Sequence, residues 1–274
     1  MRVFYWRIKK MVGLQVCLLI LVCVAVLFLK FNIMNTPVVA EPYYQGAETN
    51  PVISLAFNVD WGDEYLPGIL QVLDQYDVKA TFFLTGRWTH NHQALALEIA
   101  KAGHEIGNHA YSHKSPNGLS YEQNKEEITK TAIEIKKATG IDPVLYAPPS
   151  GERDDHVLRA AEDLGYSTIL WSVDTIDWQR PSPQIIVQRV EKKIHNGAII
   201  LAHPTDSTLK ALPTLLADLT KGGYSFVTVS RNLGLNDIVL DEKAIEKMLV
   251  SQITEGQVGF MNRQIMNNGR VFYE

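Results

Sequence analysis

The 274-residue sequence predicts an α/β fold: a nearly closed parallel β/α barrel of about seven units, set behind an N-terminal transmembrane helix. Two observations carry the prediction. From Pro51 onward, short β-rich runs alternate with amphipathic stretches of helical period, and repeated strand–helix alternation builds a parallel sheet covered by helices. Ahead of them lies an apolar run at 11–29 whose one strongly polar member is Gln15.

Taken in order, residues 1–10 hold Arg2, Arg7, Lys9 and Lys10 and no acid, the signature of a cytoplasmic end. As a helix, 11–29 is about 28 Å long, close to the roughly 30 Å hydrocarbon core of a bilayer. The reading is a single-pass anchor in the cell membrane with everything after it extracytoplasmic. The alternative is a signal peptide cut after Ala40, with a secreted product, because Val38 and Ala40 are small where a signal peptidase reads. Residues 30–50 are a linker, 51–233 the barrel and 234–274 a C-terminal extension. Strands are expected at 52–57, 80–84, 105–108, 144–147, 168–171, 198–202 and 226–229. Helices are expected at 64–76, 93–102, 121–139, 154–164, 183–194 and 208–222. Ser120 and Gln123 form a capping-box pattern ahead of the third helix, and Gly140 is its stop.

All 30 acidic residues and 21 of the 26 basic ones fall in 41–274, a net charge of −9 that excludes nucleic acid as a partner. Both cysteines, Cys17 and Cys23, lie in the apolar run, so the exported part has neither disulfides nor a thiolate nucleophile. No Gly-x-Ser-x-Gly elbow, phosphate loop or dinucleotide fingerprint occurs.

In a parallel β/α fold, chemistry collects at the carboxyl ends of the strands. Polar residues stand at five of them: Asn58 and Asp60, His109 and His113, Pro149 and Ser150, Asp174 and Asp177, and His203. His109 and His113 are spaced to aim at one point, and with Asp60 they would make a three-ligand metal site with open positions. His203 is a candidate general acid if a carboxylate holds it, and Asp174 is the candidate partner; Asp177 reads equally well as a loop cap. His90, His92, His104, His156 and His195 read as structural.

Four ordered blocks resemble the polysaccharide deacetylase (NodB-homology) family of carbohydrate esterases. They are Ala80-Thr81-Phe82-Phe83-Leu84, Gly103 to His109 with His113, Trp171 to Trp178, and Leu201-Ala202-His203. The resemblance implies a distorted barrel holding one divalent metal, zinc first and cobalt or manganese as alternatives, on one Asp and two His. It implies hydrolysis of the N-acetyl groups of cell-wall amino sugars, with an aspartate base and a histidine acid. Carried over, Asp60, His109 and His113 are the ligands, His203 the acid, Asp174 its partner, and Pro149, Ser150 and Trp178 line the sugar site.

Two departures stand out. Where the family has two adjacent aspartates, base then ligand, this chain has Asn58 at the base position and an aspartate one residue late, at Asp60. Where the family has an arginine that orients the base, this chain has Ala147. An amide accepts no proton at neutral pH. The retained acid and ligand residues favour a metal-dependent deacetylase with a rearranged base, drawn from Asp60, Asp63 or Glu64. The alternative is an impaired homologue that binds glycan or assists assembly of the wall or spore envelope. The Asn-Val-Asp-Trp-Gly and Ala-Pro-Pro spellings resemble a subgroup associated with endospore-forming bacteria.

Overall fold

The computed structural model describes residues 21–24, 26 and 41–235. The extension from 236 on, and most of the expected span at 11–29, lie outside the described residues. Among the described residues no helix is long and apolar enough to cross a membrane. The chain divides into two units, Met1–Val39 and Ala40–Glu274, and the second holds the barrel.

Eight strands form one sheet: β1 (Val52–Val59), β2 (Thr81–Leu84), β3 (Glu105–Asn108), β4 (Leu145–Tyr146), β5 (Ser167–Thr168), β6 (Val173–Asp174), β7 (Ile199–Ala202) and β8 (Ser225–Phe226). Their order is β5-β4-β3-β2-β1-β7-β6, every pairing is parallel, and β8 adds to the start of β1. Eight helices complete the unit: α1 (Leu66–Gln75), α2 (Gly86–Asn91), α3 (Gln93–Lys101), α4 (Tyr121–Thr139), α5 (Asp155–Glu162), α6 (Pro183–Lys193), α7 (Asp206–Lys221) and α8 (Val229–Asn232).

β1 is the central strand: residues 53–59 of VISLAFNV are all buried, with one wholly apolar face and an opposite face on which Ser54 and Asn58 flank Ala56. One face (Ile53, Leu55, Phe57, Val59) joins Leu66, Ile69, Leu73, Leu215 and Leu216 in the core between sheet and helices. The other carries Ala56 into a smaller cluster with Phe83, Leu145, Ala147, Ile169 and Ile199, inside the curl of the sheet. In α4 the capping box is complete, with Ser120 accepting from the Gln123 N–H and Gln123 accepting from the Ser120 N–H. The helix stops at Gly140, in the left-handed region at φ 77°.

Besides the unexpected α2 and the shift of the fifth strand from 168–171 to Ser167–Thr168, three features depart from expectation. β6 lies in Val173–Asp174, a stretch too short and polar to show strand periodicity; it forms because its backbone can pair with Ile200 and Leu201. The last strand sits earlier than expected, at Ser225–Phe226, and 229–232 turn as α8. The sheet is curled but its edge strands β5 and β6 do not pair with each other. Residues ahead of β1 tie this opening together. Tyr43 donates its N–H to Thr168 and accepts from the Leu170 N–H, and Gly46 N–H reaches the Gly197 carbonyl.

Candidate functional site

The carboxyl ends of β1, β2, β3, β4 and β7 frame one mouth. β1 runs through Val59, in register with Leu84, so alternation carries Val59 into the helix-side core, fully buried, and leaves Asn58 on the inner face. The Asn58 amide has no hydrogen-bond partner among the described residues. Asp60 is the first residue beyond the strand. Its Oδ1 accepts from the Thr85 hydroxyl at 2.9 Å, and Arg87 Nη2 reaches Oδ1 at 3.0 Å and Oδ2 at 2.9 Å. Thr85 also caps α2 by accepting from the Trp88 N–H, so one side chain starts the helix and fixes the carboxylate.

The histidine pair is held from below. His109 Nδ1–H donates to the Ala147 carbonyl at 2.6 Å, which leaves the Nε2 lone pair facing away from that strand. Burial, then the neighbouring His113, lower its pKa to about 3, so the ring is neutral throughout the physiological range. The His113 ring lies 5.0 Å from it, edge on. Between them the backbone takes positive φ at Ala110 (59°) and at His113 (55°). Glu127, on α4, offsets that strain by accepting from the N–H groups of Tyr111 (3.0 Å) and Ser112 (2.7 Å) and from the Ser112 hydroxyl.

Across the mouth stands His203. The carboxylate that holds it is Asp177, correcting the expected Asp174. Asp177 is fully buried and accepts from the His203 N–H (2.6 Å), from His203 Nδ1–H (2.8 Å) and from the Thr208 hydroxyl (2.6 Å). Asp174 instead accepts from the Ile176 N–H at 2.8 Å and caps its own turn. The two aspartates are three residues apart, but β6 ends at Asp174 and the following 3₁₀ turn swings Asp177 beneath His203. The Trp61 indole stacks parallel to the His203 ring at 6.0 Å. Trp61 and Trp178 remain 39% and 54% exposed, two aromatic faces open to solvent at the strand ends. Pro149 is buried, and Ser150 is exposed in a left-handed conformation (φ 58°) within the turn after β4.

The expected metal centre does not assemble. Among the described residues no three His, Cys, Asp or Glu side chains are placed to hold one ion. His109 and His113 meet, but Asp60 is turned to Arg87 and Thr85, and the residue before it is a buried valine. The family's divalent metal therefore does not fit the residues present. Sequence reasoning missed Thr85, Arg87, Glu127 and Thr208, whose only signals are a threonine, arginine or glutamate on a helix end or face. From sequence Asp177 reads equally well as a loop cap.

With this geometry in view, comparison with known proteins is informative. A polysaccharide deacetylase family profile matches residues 45–169. A peptidoglycan-N-acetylglucosamine deacetylase of Bacillus cereus is 36% identical over 66% of this chain and 88% of its own length. An uncharacterized protein of Bacillus subtilis, YlxY, is 44% identical over 69% of this chain, which spans 60% of that protein. Among solved structures, a CE4 family pseudoenzyme from Bacillus anthracis superposes with a TM-score of 0.69 at 44% identity, covering 71% of this chain and 69% of that one. A mutant of that protein is described as having restored enzymatic activity.

Proposed function

The chain belongs to the polysaccharide deacetylase family of carbohydrate esterases, and from that premise we propose that it binds N-acetylated cell-wall glycan on a deacetylase frame whose hydrolytic step has lapsed. The observation that carries this reading is the first loop. Asn58 stands where a base is needed, Asp60 is held by Arg87 and Asp63 lies toward His92, so Asp60 does not complete a three-ligand set with His109 and His113. Removing a general base alone costs about 10²–10⁴ in rate. Losing a metal ligand as well removes the group that would polarise the acetamide carbonyl.

What remains suits binding. Trp61 and Trp178 offer flat apolar faces to a sugar ring, and the free Asn58 amide offers both a donor and an acceptor to hydroxyl or acetamide groups. The basic start and apolar run at 11–29 support an anchored protein with its barrel outside the membrane.

The intact His203–Asp177 pair favours a second reading, a slow deacetylase with a rearranged base. One experiment separates the two. Full-length protein is tested for retention on purified peptidoglycan and on N-acetylglucosamine oligomers, and for acetate release with and without zinc. The expected result is retention without acetate, weakened about tenfold in Trp178→Ala. Acetate release that disappears in His203→Ala would establish the second reading, and absence of retention would overturn the first.

A further inference from the structure

At the opposite end of the strands from the mouth lies a cleft of about 570 Å³, between the starts of β3 and β4 and the end of β8. Its size falls in the range of small-ligand sites, roughly 300–1,000 Å³. His104 lines it and is 3% exposed. The Nδ1 atom of His104 accepts the Ala80 N–H at 3.2 Å, so in the neutral ring Nε2 carries the proton. No group among the described residues accepts that Nε2–H, and the atom is not sealed within the fold. The Nε2–H thus opens on the cleft, where it can donate to water or to a ligand that displaces water.

Three cations and three acids line the cleft, and it is the unpaired state of the cations that favours an anion. Lys79, Lys101 and Arg231 line the cleft, and none has a carboxylate within ion-pair distance among the described residues. Two of the three lining acids are already engaged. Asp142 pairs with Lys136, and Glu105 accepts from the Thr81 hydroxyl (2.6 Å) and the Ser230 N–H (3.2 Å); Asp77 completes the set. Ile141, Val144 and Phe226 supply apolar wall beside the charges.

We propose that this cleft binds an oxyanion, a carboxylate or phosphate carried on a partly apolar body, with His104 Nε2–H as the donor at its wall and Lys79, Lys101 and Arg231 as countercharges. Burial, then the Lys79 ammonium, lower the His104 pKa to about 4, which keeps the ring a neutral donor and leaves the positive charge to the three rim cations. The site is independent of the glycan mouth.

The test follows the His104 Nε2–H resonance of the full-length protein in detergent during titration with N-acetylalanine and, separately, inorganic phosphate. A saturable shift with a dissociation constant below about 10 mM is expected with at least one probe. It should weaken about tenfold in the Lys101→Ala/Arg231→Ala double variant and persist in Trp178→Ala. A response to one probe alone assigns the anion to that class and supports the site. No saturable shift with either probe, or a shift unchanged in the double variant, overturns it.

Discussion

At the scale of single residues, the lesson is that a carboxylate is defined by what donates to it. Asp60, Asp174 and Asp177 all stand at or just past strand ends, yet one is clamped by a guanidinium, one caps a turn and one is buried beneath a histidine with three donors on it. Those donors are what make a buried charge tolerable, since an unpaired one costs several kcal/mol. The same reasoning governs His104, which the fold keeps neutral. Its folded pKa, about 4, lies below the unfolded value near 6.5, so the unfolded chain binds the extra proton between those limits. Neutral His104 therefore stabilises the fold above pH 6.5, and that contribution is lost as pH falls toward 4, at up to about 1.4 kcal/mol per pH unit. Denaturant titrations of the wild type and His104→Gln across pH 4–7 should show a shallower acid limb in the variant. Parallel limbs would contradict the assignment.

At the scale of elements, the site depends on how loops are pinned to the helices that follow them. Gly62 turns the chain after β1 at φ 83°, where a Cβ would lie 2.1 Å from the Pro204 carbonyl, so the β1 and β7 loops touch at a position only glycine can fill. The His109–His113 loop is pinned by Glu127, a half-buried residue nearly two turns into α4. Both N–H groups donate to the same oxygen, so Glu127→Gln keeps their acceptor and loses only the charge, whereas Glu127→Ala leaves both unpaired, at a cost of about 1–3 kcal/mol. The predicted effect of Glu127→Ala goes beyond stability: the His109 and His113 ring resonances should broaden or shift while those of His195 stay in place. Unchanged histidine spectra would confine Glu127 to a structural part.

At the scale of the whole molecule, the departures from the family pattern behave as a set. Asn58, Val59 and Ala147 each remove one part of a machine whose parts act as a unit, so restoring one restores nothing. Asn58→Asp alone is expected to release no acetate from N-acetylglucosamine oligomers. The triple variant Asn58→Asp, Val59→Asp, Ala147→Arg places a carboxylate in the core position of Val59. Because Val59 faces the helix-side core, the variant should melt at a lower temperature than the wild type, and acetate release on adding zinc requires the strand end to turn that carboxylate toward His109 and His113. Acetate from the single variant would mean that Asp60 leaves Arg87 to complete a metal site.

Much of this protein is written in local order along the chain. Alternating apolar runs and capped amphipathic stretches announced the parallel sheet, placed β3 and α4 at their observed limits, and put His109, His113 and His203 at strand ends, because hydrophobic period and capping chemistry act over a few residues. The departure at the proposed base position was legible for the same reason: Asn58 is one letter in a short block. Decided only in three dimensions were the partner of His203, the turning of Asp60 to Arg87, the strand β6 and the tie made by Tyr43 and Gly46. Each joins groups far apart along the chain or rests on a turn whose direction local pattern does not specify. A carboxylate can neutralise whichever cation packing brings within reach, so its part in the site is set by tertiary geometry.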